Sequence, residues 1–191
     1  MFEYLRGIIT ELSPAQATVE CAGVGYAVQI SLQTYGKLIE GEERRLYVHP
    51  VYREDAQLLF GFIDRSERRI FQLLLSVSGI GPNTARLILS SLTAEEVTNA
   101  LQSGDVMRFQ SVKGVGAKTA QRLIVDLRDK VGAVEMASVP GVAVDAASEA
   151  LEALVVLGYN RQQAQKAVHK ARQQDAEASV ESLIRNALQI L

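Results

Sequence analysis

The pattern of apolar and polar positions changes character twice along the chain, near residues 64 and 132. Before the first change, short runs rich in Val, Ile, Tyr and Leu read as strands: Phe2 to Leu12, Ala17 to Ser31, Arg44 to Tyr52 and Ala56 to Phe62. Gly25 to Ile30 partly alternates, as on a half-buried strand. Ser13-Pro14 marks a turn, and Gly23-Val24-Gly25 predicts a bulge or a sharp bend. Leu32 to Glu40, closed by Gly41, predicts a short helix. Between the two changes the pattern is helical. Ile70, Phe71, Leu73, Leu74, Leu75 and Val77 supply a helix-packing core. Asp64 and Thr93 each stand three residues before a Glu, and Thr93 with Glu96 spells a capping box. Asp105 is placed to cap a further short helix. Residues 132–144, GAVEMASVPGVAV, have a linker composition. From residue 145 onward the pattern is helical again, with Asn160 and Ser179 as cap residues.

These patterns predict an α+β multidomain chain. Residues 1–63 form a small closed barrel of roughly four or five strands, an OB-fold with an SH3-like barrel as the competing reading. Residues 64–131 form a helical domain, residues 132–144 a flexible linker, and residues 145–191 a three-helix bundle.

Composition removes several kinds of chemistry. The single cysteine, Cys21, excludes a disulfide framework within the chain. The two histidines, His49 and His169, have no Cys or His near them, so a zinc site has no ligand cluster. No metal and no cofactor is expected. Met1 to Arg6 lacks a basic stretch leading into an apolar one, and no apolar run approaches the roughly 18 residues of a membrane helix. A cytosolic location is expected.

Net charge over the whole chain is −2 and conceals an uneven distribution. Residues 1–64 carry 5 basic and 9 acidic side chains, residues 65–133 carry 10 and 6, and residues 134–191 carry 5 and 7. Only the middle segment is basic, so a polyanion is expected to bind there.

That segment also holds an internal repeat. Ser76-Val77-Ser78-Gly79-Ile80-Gly81-Pro82-Asn83-Thr84-Ala85 recurs 35 residues later as Ser111-Val112-Lys113-Gly114-Val115-Gly116-Ala117-Lys118-Thr119-Ala120, with six of ten positions identical. Each copy lies between two helices, the second helices being expected over Arg86 to Ser90 and Gln121 to Lys130. This is the pattern of a helix-hairpin-helix. Two Gly around one apolar residue allow a tight turn, and Ile80 or Val115 plugs that turn into the helix pair. Bare Gly79, Gly81, Gly114 and Gly116 let a phosphate approach the backbone, where the amides of a helix N-terminus favour an anion. Thr84 and Thr119 add hydroxyls, and Lys118 and Arg122 add charge. Such contacts read no bases, so two hairpins in pseudo-twofold relation are expected to grip duplex DNA of any sequence. Other glycine-loop chemistry fails on spacing. Gly23-Val24-Gly25 has no third Gly for a dinucleotide fingerprint, and Ala117 separates Gly116 from Lys118-Thr119 where a nucleotide-binding loop needs Gly-Lys-Thr. No ATP site is expected.

A barrel, paired GIGPNTA and GVGAKTA hairpins, a linker and a small helical bundle together resemble the bacterial RuvA family. Tyr4-Leu5-Arg6-Gly7 and Gly23-Val24-Gly25-Tyr26 extend the resemblance into the barrel. It implies binding to four-way (Holliday) DNA junctions and recruitment of the RuvB hexameric motor for branch migration in recombination, DNA repair and the SOS response. It further implies a homotetramer centred on the barrel, with a choice between tetramer and octamer left open and the RuvC resolvase as an optional partner. Glu54 and Asp55 match the family's acidic pin, and Leu154, Leu157 and Tyr159 match its RuvB-contacting residues. The sequence departs from the family pattern at Asn83 and Ala117, where relatives often carry basic residues. Two other readings compete with a non-enzymatic scaffold. A helix-hairpin-helix DNA glycosylase would use Lys118 as its catalytic amine, yet Asp126 and Asp129 fall inside the expected helix and Glu135 in the linker. A single-strand binder would use the barrel, whose acidic charge disfavours it.

Overall fold

The computed structural model describes residues 2–136, 145–174 and 178–191. The chain divides into two compact units, Met1–Val134 and Glu135–Leu191.

The first unit begins with a closed five-stranded barrel in the order β1-β2-β3-β5-β4. Its strands are β1 (Tyr4–Ser13), β2 (Gln16–Cys21), β3 (Val24–Ile30), β4 (Glu43–Tyr52) and β5 (Gln57–Phe62). All neighbours are antiparallel except β3 and β5, which pair in parallel through Val28–Leu59 and Ile30–Gly61. Alternation along β1 and β4 turns Leu5, Ile9, Leu46 and Val48 into the barrel, where they meet Val19, Val28 and Ile30. Of the bulge or sharp bend expected at Gly23 to Gly25, the structure has the bend, at the end of a hairpin. Cys21 pairs with Val24, and Ala22 and Gly23 form the two-residue turn with φ of 50° and 82°. Positive φ at both central residues matches the twist of an antiparallel pair, which explains a Gly there without any bulge. The short helix is also shorter than expected: α1 spans Leu32–Tyr35, and Ser31 caps it by accepting from the Thr34 N–H.

Five helices follow: α2 (Arg65–Leu75), α3 (Pro82–Ser91), α4 (Ala94–Ser103), α5 (Val106–Gln110) and α6 (Ala117–Met136). Asp64 caps α2, Asp105 caps α5, and Thr93 with Glu96 closes a full capping box on α4. The helices share one core, and β5 contributes to it from the outer face of the barrel. Phe60 and Phe62 pack on Phe71 of α2 at ring-centroid distances of 5.1 and 4.8 Å. Both hairpin helices start earlier than the sequence suggests, at Pro82 and Ala117. The first five residues of the linker expected over 132–144 are helical, because α6 continues to Met136. Gly132 alone does not break a helix, and Ala133 to Met136 contain no Pro. Residues 137–144 of that expected linker lie outside the described residues.

The second unit packs α7 (Ala146–Val156), α8 (Arg161–Gln174) and α9 (Val180–Ile190). Its core is small-sided: Ala150, Ala164, Ala167, Ala171 and Ala187 surround Leu154, Val168 and Leu183. Asn160 receives the Gln162 and Gln163 N–H groups ahead of α8, and Ser179 caps α9.

Candidate nucleic-acid interface

The sequence repeat is a structural repeat, alike in all but one of its bonds, since the Ser76 N–H reaches three residues back and the Ser111 N–H four. After α2, the Ser76 and Val77 N–H groups donate to the Leu73 and Leu74 carbonyls at 3.0 and 3.1 Å. After α5, those of Ser111 and Val112 donate to Met107 and Phe109, both at 3.1 Å. The Ser76 and Ser111 hydroxyls donate back to Leu73 and Arg108 carbonyls, each at 2.7 Å. The chain then reverses. Ile80 N–H reaches the Val77 carbonyl at 3.0 Å, and Val115 N–H reaches that of Val112 at 3.1 Å. Ile80 and Val115 enter the helical core with exposures of 6% and 5%.

The two glycines of each hairpin do different work. Gly79 and Gly114 have φ of 93° and 90°, a conformation that costs any side chain about 1–2 kcal/mol. Gly81 has φ of −90°, and Gly116 is likewise outside the left-handed region. A Cβ built on either would meet no heavy atom within 4 Å. Neither strain nor packing within the chain demands glycine at 81 and 116. What these positions gain from a bare backbone is access from outside, at the N-termini of α3 and α6.

The two hairpins are unequal in donors and charge. Pro82 occupies the first turn of α3 and has no N–H to offer, whereas Ala117 retains its own. Asn83 is exposed and neutral; Lys118 is exposed and cationic; Thr84 and Thr119 are half-buried at the same helical position. Arg122, exposed on α6, donates to the Ser78 carbonyl of the first hairpin at 3.4 Å, so it ties one hairpin to the other as well as adding charge. Lys113 is a further exposed cation in the second loop, at the place of Ser78 in the repeat. Its position in the repeat was the available signal. Arg108 is not free for a ligand: Glu96 holds it at 2.5 Å, and the Thr93 N–H together with Arg108 lowers the Glu96 pKa.

Glu54 and Asp55 are both exposed in the loop between β4 and β5, which closes by the Arg53 N–H donating to the Ala56 carbonyl at 2.8 Å. In the second unit the three apolar residues separate. Leu157 and Tyr159 are exposed, at 63% and 39%, beside Val156 at 85%, while Leu154 is fully buried in the three-helix core. Of the three, Leu154 thus belongs to the core of the bundle, and Leu157 and Tyr159 are the two that reach the surface. It lies four residues after Ala150 on the inward face of α7, and Leu157 follows the last turn.

Lys118 lies in the first turn of α6, and Asp126 falls about 12 Å further along the same helix at 1.5 Å per residue. Among the described residues no group of three His, Cys, Asp or Glu is placed to hold a metal ion, and no helix is long and apolar enough to cross a membrane.

Three family models match the chain: the RuvA N terminal domain over residues 1–61, a SAM-like helix-hairpin-helix tandem over residues 71–129, and the RuvA C-terminal domain over residues 145–191. Similar proteins include the Holliday junction branch migration complex subunit RuvA of Christiangramia forsetii, 47% identical, and that of Bacteroides fragilis, 44% identical, each covering 100% of both chains. The protein of the same name from Flavobacterium psychrophilum is 44% identical over the same full coverage. These relatives give the glycosylase reading no support.

Proposed function

The chain belongs to the RuvA family, and from that premise we propose that it binds four-way DNA junctions without reading their bases and delivers them to the RuvB motor for branch migration in recombination and repair. It acts as a scaffold with no catalysis and no ATP site of its own. Its observation of greatest weight is the pair of bare positions, Gly81 and Gly116, at two helix N-termini where the fold itself has no use for glycine. A phosphate seated there accepts backbone N–H bonds and lies at the positive end of the helix dipole. Thr84 and Thr119 supply hydroxyls, Asn83 an amide, and Lys118 and Arg122 charge. Gly79 and Gly114 shape the loops that expose these groups.

The assembly is a homotetramer, or a pair of tetramers, with the barrels at its centre and one duplex arm on each subunit. Glu54 and Asp55 stand beside the crossover, where their charge repels an unbroken duplex more than the diverging strands of a junction. Leu157 and Tyr159 engage RuvB, and RuvC is an optional further partner. A gel-shift series with a four-way junction, a linear duplex and a single strand of the same bases tests this reading. Preference for the junction across unrelated sequences is expected, and equal affinity for junction and duplex would refute it. Within it, Lys118→Ala and Arg122→Ala should each weaken binding to all sequences and flatten the log-affinity versus log-salt slope by about 0.9.

A further inference from the structure

We propose that Arg86 and Ser90 are positioning residues that hold the first hairpin at a set angle to the barrel, and thereby favour branched over linear DNA. The inference rests on the junction reading above. Arg86 is the sole cation of α3, the helix that opens at the first hairpin, and it is turned to the barrel. Its Nη1 donates to the Ala15 carbonyl in the β1–β2 turn at 2.9 Å and to Gln29 Oε1 on β3 at 3.3 Å. Gln29 is itself oriented, because its Nε2 donates to Gln16 Oε1 at 3.1 Å. One turn along the same face of α3, Ser90 Oγ accepts the Leu32 N–H at 3.1 Å and donates to the Arg86 carbonyl at 2.8 Å. Two successive turns of the hairpin helix are thus bonded around the C-terminal end of β3, one at Gln29 and the adjoining β1–β2 turn and one just beyond it at the start of α1.

These bonds carry a burden that the hydrophobic core does not. The core fixes α2 against β5 through Phe60, Phe62 and Phe71, but apolar contacts are non-directional. Directional bonds from α3 hold its rotation about that contact. For a linear duplex this rotation is immaterial, since the duplex meets the hairpins alone. A junction must meet the hairpins and the barrel loop carrying Glu54 and Asp55 together, and the angle between them then decides whether both fit.

The test uses the full chain with Arg86→Ala, Ser90→Ala and Arg86→Lys, and measures affinity for a linear duplex and a four-way junction of the same bases. Arg86→Ala should leave duplex affinity within about twofold and lower junction affinity by about fivefold or more, the effect of losing its hydrogen bonds to Ala15 and Gln29. Ser90→Ala should act in the same direction, and Arg86→Lys, which can still reach the Ala15 carbonyl, should recover part of the ratio. Melting temperature is recorded for each variant, and a general weakening of the fold would lower both affinities together. An equal fall on duplex and junction with a flatter salt slope would make Arg86 a phosphate contact and overturn the inference. An unchanged ratio in Arg86→Ala would also overturn it, while the unsubstituted chain still prefers junctions. Absence of that preference in the unsubstituted chain would overturn the junction reading and this inference with it.

Discussion

Replacing Gly116 by Ala separates what the hairpin does for the fold from what it does for a ligand. The added methyl would meet no atom of the chain within 4 Å. Loss of glycine's freedom in the unfolded chain favours folding by about 0.4–1 kcal/mol. Ala is poorer than Gly where a helix begins, by a few tenths to about 1 kcal/mol. The two nearly cancel, and stability should change by less than about 0.5 kcal/mol. Gly114→Ala is different, because its φ of 90° costs about 1–2 kcal/mol with a side chain present. Binding should show the reverse order. A methyl at residue 116 holds a phosphate off the amides of α6, and a hydrogen bond to a charged group contributes about 1.5–3 kcal/mol. That corresponds to about ten- to a hundredfold weaker duplex binding. Thermal unfolding and fluorescence anisotropy on the same samples read both quantities. Gly116→Ala that binds like the unsubstituted chain would show the second glycine to be incidental, and a large loss of stability would show that the fold needs it after all.

Glu54→Gln with Asp55→Asn should tighten binding to linear duplex more than to a junction at low salt; an unchanged ratio in anisotropy titrations would reduce the loop to a solvated turn. A chain ending at Val134 should still bind junctions, since both hairpins precede that point, but should not stimulate RuvB, and full stimulation in a branch-migration assay would refute the assignment. Leu157→Asp should weaken RuvB association with little change in folding, while Leu154→Ala should cost about 2–5 kcal/mol of stability in the second unit, as read by urea denaturation. Glu67 gives a pH dependence: burial raises its pKa above 4.5 against the opposing Ser31 and Thr34 hydrogen bonds, so the folded state holds the proton more tightly than the unfolded one. Its contribution is therefore full below pH 4.5 and lost as pH rises through the folded value. Urea midpoints of Glu67→Gln should show a smaller decline over that range, and parallel curves would refute the assignment.

What was legible in the sequence is what repeats or caps locally. The duplicated hairpin declared itself through its own second copy, and Thr93, Asp105, Asn160 and Ser179 each cap the helix that the pattern places after them. Features that depend on distant partners were not legible. Glu67 reads as the third residue after a cap. In the fold it lies buried between subdomains, taking hydrogen bonds from Ser31 and, at 2.7 Å, from Thr34, whose hydroxyl in turn accepts the Ile63 N–H. Nothing within a few positions of residue 67 announces partners 33 and 36 residues away. The same is true of Arg86, 71 residues from Ala15. Gly23 was readable as punctuation, but a bulge and a two-residue turn use the same glycine, and only the register Cys21 to Val24 separates them. Leu154 and Leu157 are chemically equivalent in the chain, and the end of α7 at Val156 leaves one in the core and the other at the surface.

The inequality of the two hairpins then acquires a physical meaning. From Ser76 to Leu92 the sole basic residue is Arg86, and its guanidinium faces the barrel. Pro82 withholds one amide and Asn83 brings no charge, so the first hairpin has few means of attracting a phosphate. It is, however, the hairpin bonded to the barrel, directly through α3 and again through Glu67 of α2. The second hairpin has Lys113, Lys118 and Arg122, and it is joined to the first through the shared core and the Arg122 bond to Ser78. In the proposed function, one hairpin thus supplies direction and the other attraction. Coulomb attraction to DNA falls off over about 10 Å at 0.1 M salt, so it does not specify an angle by itself. A rigid neighbour with little charge converts that attraction into orientation, and a selector of DNA shape needs the two together.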